Sequence, residues 1–390
     1  MRSIPGSQRN SEMALTLTNF EAVGFDGTAP RTIAISDDGT IARDALPGAE
    51  TIDCKGARLS PGWTDLHVHV WHGGTDISVR ASQAGRATGV TAMADAGSAG
   101  EANFHGLREY VIEPHTETIK AFLNIGSIGL VACNRVSELI DMRSIDIDRT
   151  LEVIEANRDV VCGIKVRASG VIVGTWGITP ARIAKRVAEI AGLPVMVHIG
   201  EPPPLIDEIF DILTPGDIVT HCFNGKKAGS VLDTPQVYAK ARDLARRGVL
   251  MDIGHGVASF DFGVARQAVA DGFLPFSIST DLHLRNIGGP VHDMATTLSK
   301  MLAIGLPLEA CIDAVAASPR AFLGLSAGDG LVPGNKADFT IFDIVDGDLD
   351  AVDSQGNHLT IDRIFEPRWT VLGASVEPAA RRVPDAESPA

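Results

Sequence analysis

The residues most able to do chemistry in this sequence are two histidines that flank a single valine. His67 and His69 occur in the segment 59–71, where apolar residues alternate with them. This alternation predicts a β-strand that carries both imidazoles on one face, and such a pair can bind one metal ion. An ordinary core or surface pair is about as common for an isolated His-x-His, so the interpretation depends on the rest of the chain.

Seven further strand-like runs follow this segment, and amphipathic helical sequence separates them. The runs cover residues 90–94, 119–125, 160–166, 194–199, 217–222, 249–253 and 276–281. Eight strands that alternate with helices over about 250 residues are typical of a (β/α)8 TIM barrel, which places the chain in the α/β class. The active sites of such barrels lie at the C-terminal ends of the strands.

Polar residues able to bind a metal occur at the ends of five of the eight predicted strands. His67 and His69 end the first strand, and the others are Lys165 on the fourth, His198 on the fifth, His221 on the sixth and Asp281 on the eighth. Each has an ordinary interpretation by itself, as a core histidine, a solvent-exposed lysine or a helix cap. Their convergence at one rim favours a metal site, because imidazole and carboxylate ligands suit Zn²⁺ or a similar divalent ion.

The lysine among these residues carries the most specific chemistry. An ordinary ammonium on Lys165 would repel bound cations, but a lysine that is desolvated can lose its charge. Reaction of the neutral amine with carbon dioxide would form a carbamate, whose two anionic oxygens can bridge a pair of ions. The sequence therefore predicts two divalent metal ions, most simply Zn²⁺, and an N6-carboxylysine at Lys165.

With these residues in place, the sequence resembles the amidohydrolase superfamily. The resemblance includes the His-x-His strand, the four later ligands, β-rich segments at both termini and the return strand 333–338, so it covers roughly residues 13 to 376. Several local phrases also resemble the branch of deacetylases that is labelled dihydroorotase-like. These phrases cover residues 163–168, 196–203, 217–222, 252–256 and 278–283.

The resemblance implies a role for each candidate ligand. One metal ion would be held by His67, His69 and Asp281, the second by His198 and His221, and carboxylated Lys165 would bridge both beside a water or hydroxide. The hydroxide would attack a substrate carbonyl that the second ion polarises. Asp281 would be the catalytic residue that takes the proton from the nucleophile and delivers it to the leaving group.

Four further residues near the predicted rim are candidates for substrate binding. His255 follows the seventh strand in a Gly-His-Gly turn and could contact the substrate or orient a metal ligand. His283 follows the eighth strand and has the same two interpretations. Arg167 and Arg285 could each offer a guanidinium fork to a substrate carboxylate, although an ordinary ion pair is equally plausible for both.

These features together predict a binuclear metal-dependent amidohydrolase. The resemblance to deacetylases favours removal of an acetyl group, as an ester or an amide, from a small carboxylate-bearing hydroxy or amino acid. The same residues could open a cyclic amide, as in dihydroorotases and hydantoinases. A mononuclear deaminase of the same superfamily and a non-catalytic barrel that serves as a scaffold are further alternatives.

The β-rich termini predict a second, smaller unit beside the barrel. Residues 13–60 and 327–376 would form one β-sandwich built from both ends of the chain, and residues 61–326 would form the barrel. The polar segments 1–12 and 377–390 are expected to be flexible tails.

Composition limits the partners that this protein can have. The 390 residues carry a formal net charge of −15 without any basic run, which disfavours nucleic acid and anionic membranes as partners. No apolar run approaches the roughly 18–20 residues that a membrane helix needs. The five cysteines are scattered, which favours free thiols and a cytoplasmic location. The expected partner is a small-molecule substrate, and the resemblance implies a homo-oligomer.

Overall fold

A computed structural model of the chain describes residues 14–27, 30–139, 141–326 and 330–382. The N-terminal strands are β1 Leu15–Thr18, β2 Glu21–Ala22, β3 Thr32–Ile35, β4 Glu50–Asp53 and β5 Arg58–Pro61. The barrel strands are β6 Trp63–Val68, β7 Val90–Gly100, β8 Thr118–Asn124, β9 Val161–Ala168, β10 Val195–Ile199, β11 Ile218–Thr220 and β12 Leu250–Asp252. The C-terminal strands are β13 Asp338–Val352, β14 His358–Leu372 and β15 Ser375–Pro378.

The strands from β6 to β12 form one seven-stranded parallel sheet in chain order. Their residues are buried on both faces along most of their length, because helices cover the outside and neighbouring strands fill the inside. The helices are α1 Ala81–Ala84, α2 Phe104–Leu107, α3 Ile147–Ala156, α4 Gly170–Val173, α5 Thr179–Ala191, α6 Ile206–Phe210, α7 Pro235–Arg246, α8 Phe262–Ala270, α9 Met294–Ala303, α10 Leu308–Ile312 and α11 Ser318–Phe322. Among the described helices, none combines the length and apolar character required to span a bilayer.

Local sequence signals set the ends of these helices. The Thr234 hydroxyl accepts a hydrogen bond from the Val237 amide at 3.1 Å and so caps α7, which begins with a proline. Gly192 ends α5 in the left-handed region at φ 66°, a conformation that glycine adopts without steric cost.

The segment predicted as the eighth strand, residues 276–281, closes the barrel without forming a regular strand. Isolated parallel bridges join Ser277 to Asp252 and Leu282 to Val68, on the two sides of the gap. The backbone is irregular because Asp281 has a positive φ of 49°, which interrupts strand geometry at the rim. The (β/α)8 barrel that the sequence predicts is thus confirmed, with this one irregular position.

The terminal segments form two small sheets that pack on each other. One has the order β3-β1-β4, and the other has the order β15-β14-β13-β5-β2. Their shared apolar core takes residues from both ends of the chain, including Leu17 and Ile35 from one end and Phe339 and Val371 from the other. This arrangement is a β-sandwich built from both termini.

The hairpin of β13 and β14 belongs to both units, which refines the predicted boundaries. Its far half packs into the barrel core through Ile361, Ile364 and Phe365, and the Phe365 amide donates to Ser299 Oγ of α9 at 2.9 Å. The predicted boundary at residues 60 and 61 also falls inside a strand, since Pro61 of β5 pairs with β13.

The C-terminal end is ordered beyond the predicted end of the sandwich. β15 continues to Pro378, the Ala380 amide donates to Ala87 O at 3.0 Å, and the Arg382 amide donates to Asp293 Oδ2 at 2.5 Å. Residues 377–382 therefore differ from the predicted flexible tail, because the barrel supplies acceptors for their amides. The predicted tail segments 1–12 and 383–390 lie outside the described residues.

Candidate metal centre

The C-terminal ends of the barrel strands place all six predicted ligands around one cavity of about 160 Å³. They are His67, His69, Lys165, His198, His221 and Asp281. The Asp281 carboxylate lies at the centre, with Oδ1 3.2 Å from His69 Nε2 and 3.5 Å from His67 Nε2. Donor atoms of His67, His221 and Asp281 lie within 4.8 Å of one another, which is a spacing that suits a shared cation.

A relay of hydrogen bonds fixes the imidazole of His67. The Thr220 hydroxyl donates to Asp252 Oδ2 at 2.6 Å, so its oxygen accepts from His67 Nδ1 at 2.7 Å. The proton of the neutral ring is therefore on Nδ1, and the lone pair of Nε2 points toward the cavity. Such an outer hydrogen bond selects the tautomer that can bind a metal.

The Nδ1 atoms of His221 and His69 also have hydrogen-bond partners outside the cavity. His221 Nδ1 donates to the Gly254 carbonyl at 2.6 Å, which leaves Nε2 as the free donor atom. His69 Nδ1 lies 3.0 Å from the hydroxyl of Ser98. Gly254 must be a glycine, because it has φ 46° and a Cβ there would lie 2.4 Å from Thr220 Oγ1.

The strand register brings His198 to the same rim. In the parallel pairs, His198 is opposite Thr220, and Thr220 is opposite Asp252, so these three positions form one row across the barrel mouth. The ring of His198 meets the ring of His221 edge to face, with centroids 4.3 Å apart. Two imidazoles in this contact can serve one ion.

Lys165 is buried in the cavity floor and has weak hydrogen-bond acceptors. Its side chain is 1% exposed, and Nζ lies 3.1 Å from His67 Nε2 and 3.4 Å from the thioether sulfur of Met196. Burial lowers the pKa of Lys165 to about 7. A neutral amine among imidazoles fits the chemistry of carbamate formation better than that of a structural ammonium.

Burial also favours the neutral form of three of the imidazoles. It lowers the pKa of His67, and it lowers those of His198 and His221 well below the usual value, so these rings keep the lone pairs that metal ligation requires. For Asp281, burial acts to raise the pKa, whereas positive charge on His67 and hydrogen bonding from His69 lower it well below the usual range, so the ionised carboxylate goes with cationic charge in the cluster. The residues thus match the protonation states of a metal-binding site.

Two of the six residues have strained backbones. His221 and Asp281 have φ values of 68° and 49°, a region that residues other than glycine rarely adopt. Hydrogen bonds hold Asp281 there, because its amide donates to the His67 carbonyl at 2.6 Å and its own carbonyl accepts from Asn286 Nδ2 at 2.7 Å. Strain of this kind is typical of functional sites.

Sequence reasoning missed the buried carboxylates that support the ligands. Asp252 accepts hydrogen bonds from Thr220, Ser277 and Ser279. Asp65 accepts from the Thr280 amide at 3.0 Å, and its burial raises its pKa to about 7. A detectable signal was present, since both aspartates lie inside apolar strand sequence where a charged residue requires hydrogen-bond partners.

The two candidate arginines have different surroundings. Arg167 lines the cavity, but Glu138 takes its guanidinium in a bidentate ion pair, with Nε–Oε1 at 2.7 Å and Nη2–Oε2 at 2.5 Å. Of the two interpretations of Arg167, the structure therefore shows the ion pair. Arg285 is exposed at the cavity mouth and donates to Asn134 Oδ1 at 3.2 Å.

The two candidate histidines also have different surroundings. His283 lines the cavity, and its Nδ1 accepts from the Arg285 amide at 3.1 Å, so the neutral ring carries its proton on Nε2. His255 differs from the expected substrate contact, because it is fully buried and does not line the cavity. Its Nδ1 donates to Gly256 O at 2.9 Å, and its Nε2 lies 2.9 Å from Lys300 Nζ.

Curated bacterial proteins match the chain over nearly its whole length. A deacetylase of Agrobacterium fabrum is 52% identical over 380 residues, which cover 95% of this chain and 93% of that protein. The chain belongs to this deacetylase family. A family relative in Enterococcus faecalis, also named deacetylase, is 36% identical over 334 residues, which cover 84% of this chain and 89% of that protein. A family model described as a deacetylase-like composite domain matches residues 331–376.

Solved structures place the family in the amidohydrolase fold. A crystal structure described as a dihydroorotase superposes with a TM-score of 0.92 at 51% identity and covers 96% of this chain and 100% of its own. One described as an adenine deaminase has a TM-score of 0.85 at 33% identity, with coverage of 94% and 100%. An enamidase described as a member of the amidohydrolase superfamily shares the fold, with a TM-score of 0.61 at 19% identity and coverage of 95% and 98%. The predicted family and hydrolytic activity are thereby confirmed.

Proposed function

We propose that this protein is a binuclear metal-dependent amidohydrolase that removes an acetyl group from a small carboxylate-bearing hydroxy or amino acid. The observation that carries the proposal is the cluster of four imidazoles, a buried amine and Asp281 at one barrel mouth. The family relatives that are named deacetylases support the choice of the acetyl group.

The donor set suggests how two ions would be held. His67, His69 and Asp281 would hold one, His198 and His221 would hold the other, and Lys165 would bridge them as a carboxylate. Mixed nitrogen and oxygen donors with neutral imidazoles favour Zn²⁺. Two ions would supply the Lewis acidity that activates water and polarises a carbonyl oxygen.

Asp281 would then do the proton transfer. Its pKa is well below the usual range, so it is ionised at neutral pH and can accept the proton of the attacking water. It would return that proton to the oxygen or nitrogen of the leaving group as the acetyl–oxygen or acetyl–nitrogen bond breaks. His283, whose Nε2–H is free to point into the cavity, would donate a hydrogen bond to the substrate.

A metal analysis combined with a substrate screen tests this proposal. Purified protein loaded with Zn²⁺ should bind two equivalents and hydrolyse O-acetyl or N-acetyl derivatives of small hydroxy and amino acids. Acetate release is the measurement, and protein treated with a chelator is the control. Turnover of cyclic amides alone would contradict the deacetylase and favour the alternative.

That alternative is a cyclic amide hydrolase of the dihydroorotase or hydantoinase type. It is favoured by one observation, the 51% identity to a structure described as a dihydroorotase. The predictions of a homo-oligomer, of a cytoplasmic location and of no nucleic-acid or membrane partner stay predictions. Size-exclusion chromatography with light scattering tests the first of them.

A further inference from the structure

The charge of the cavity is opposite to that of the protein. The chain carries a formal net charge of −15, from 49 acidic and 34 basic residues. Apart from the proposed metal ligands, the charged side chains that line the cavity are all cations: Arg167, Lys226 and Arg285. The only carboxylate among the lining residues is Asp281, which faces the imidazoles. A cavity with this lining attracts an anion.

Of the cations that line the cavity, Lys226 is the one that is best placed to bind an anion. Glu138 is buried and neutralises Arg167, and Arg285 extends toward solvent at the mouth. The side chain of Lys226 is 13% exposed, and the partner of its ammonium is Glu201 Oε1 at 2.9 Å. An ammonium has three N–H donors, so one ion-pair partner leaves two of them for a ligand. The Glu201 side chain is 42% exposed, and solvent weakens its hold on the charge.

The position of Lys226 is adjacent to the proposed metal ligands. A methyl group built on Gly200 would lie 3.2 Å from Lys226 Nζ and 3.4 Å from His198 Nε2, so the ammonium and the imidazole flank the same point. Neighbouring loops fix this placement, because Ser169 donates to Glu201 Oε2 at 2.6 Å and the Gly170 amide donates to the Glu201 carbonyl at 2.6 Å. Glu201 therefore positions Lys226 at the inner wall.

We propose that Lys226 binds a carboxylate of the substrate within a few bonds of the acyl group, and that Glu201 and Ser169 position its ammonium. This inference rests on the proposed function and assigns the residue that would select its carboxylate-bearing substrates against neutral esters and amides. A charge-assisted hydrogen bond of this kind discriminates by direct contact with the anion.

The test compares two esters that differ only in charge, O-acetyl lactate and O-acetyl lactamide. In the metal-loaded wild type, kcat/KM should be higher for the carboxylate. Lys226→Gln should reduce the ratio of the two kcat/KM values by about 10- to 100-fold, mainly through KM for O-acetyl lactate. Lys226→Arg, which keeps the charge, should restore part of the ratio. The matched control Lys227→Gln removes the same charge one residue away and should leave the ratio unchanged.

One kinetic outcome overturns the inference. It is a ratio of the two kcat/KM values that is unchanged in Lys226→Gln, whether both esters lose activity equally or neither does. A binding measurement separates this result from a failure of the proposed function. Calorimetry with lactate and lactamide, which carry no acetyl group, should show tighter lactate binding that Lys226→Gln removes, even if neither ester is hydrolysed. Lactate binding that does not depend on Lys226 would count against the inference.

Discussion

Lys165 and Lys300 are two buried lysines that lie in different regions of the same barrel. Burial lowers the pKa of each to about 7, and the side chains are 1% and 0% exposed. Lys165 lies at the barrel mouth among the imidazoles. Lys300 lies on α9, where the barrel meets the β13–β14 hairpin.

The partners of the two amines differ. Lys300 Nζ donates to Pro290 O at 2.6 Å, to Val352 O at 2.7 Å and to His255 Nε2 at 2.9 Å, which uses all three N–H groups of an ammonium. Lys165 has a thioether sulfur and one imidazole nitrogen as its neighbours. The comparison teaches that burial and a lowered pKa do not distinguish a lysine that is proposed to react with carbon dioxide from a structural one. The acceptors around the amine distinguish the two, because three good acceptors hold the Lys300 amine in place and Lys165 has two weak ones.

Among the variants that distinguish the surroundings of Lys165 from those of Lys300, Lys165→Ala is expected to have the largest effect. It should lose one metal equivalent and reduce kcat/KM by roughly 1,000-fold or more, because several kcal/mol of transition-state stabilisation depend on the ions. Metal content by mass spectrometry and acetate release measure the two quantities. If both survive the substitution, the bridged pair of ions is wrong.

A smaller effect of a different kind is expected for Lys300→Met. It leaves two carbonyls and one imidazole nitrogen without a donor in a buried junction, which should lower the free energy of unfolding by about 3 kcal/mol. Metal content should stay at two equivalents. Urea denaturation and metal analysis test this, and loss of metal in this variant would remove the distinction between the two regions.

The free energy of unfolding of Lys300→Met should also depend on pH differently from that of the wild type. The folded-state pKa of Lys300, about 7, is lower than the ordinary value of 10.5. Between these values the unfolded chain binds a proton that the folded chain has released, so this residue makes the free energy of unfolding rise with pH in that interval. The Lys300→Met variant should lack this rise in the free energy of unfolding. The corresponding contribution of Lys165 is present in both the wild type and the variant.

The smallest effect is expected for Asp252→Asn, which neutralises the carboxylate that holds Thr220 and, through Thr220, His67. Burial acts to raise the pKa of Asp252, but His67 and the neighbouring hydroxyls hold it below the usual value, so the group is an anion that orders Thr220 and His67. Its neutral replacement should weaken metal affinity by about 10- to 100-fold. Titration with a chromophoric chelator measures this affinity.

Asp217→Asn is the matched control for that variant. Asp217 is a buried carboxylate at the N-terminal end of β11, the strand that pairs with β12 on which Asp252 lies, and it forms an ion pair with Lys185 at 2.5 Å. Its loss should lower stability and leave metal affinity unchanged, because the N-terminal face of a barrel serves stability. An equal loss of affinity in both variants would show a general effect of disturbing the paired strands β11 and β12.

Much of the fold, and the convergence of the candidate ligands at one cavity, could be predicted from the sequence. Period-two alternation around His67 and His69 fixes the face of the first strand, and apolar runs separated by helical sequence give the barrel. The rule that barrel sites lie at strand ends then selects Lys165, His198 and Asp281. These features are local, or they follow from a general property of one fold.

Other features depended on contacts between distant segments. No spacing in the sequence indicates that Glu138 pairs with Arg167, that Lys300 binds His255 away from the cavity, or that Lys226 lies beside His198. These contacts join residues from different loops, and loop conformation is not set by hydrophobic periodicity.

The sequence by itself thus determined the strand faces, the barrel and the chemical types of the candidate metal ligands, because alternation and residue type act over a few neighbouring positions. The tertiary structure decided which tautomer His67 and His221 hold, which buried lysine lies among the imidazoles and which cation lies beside His198. Each of these depends on a hydrogen-bond partner that strand register and loop packing bring from elsewhere in the chain, such as Thr220 for His67.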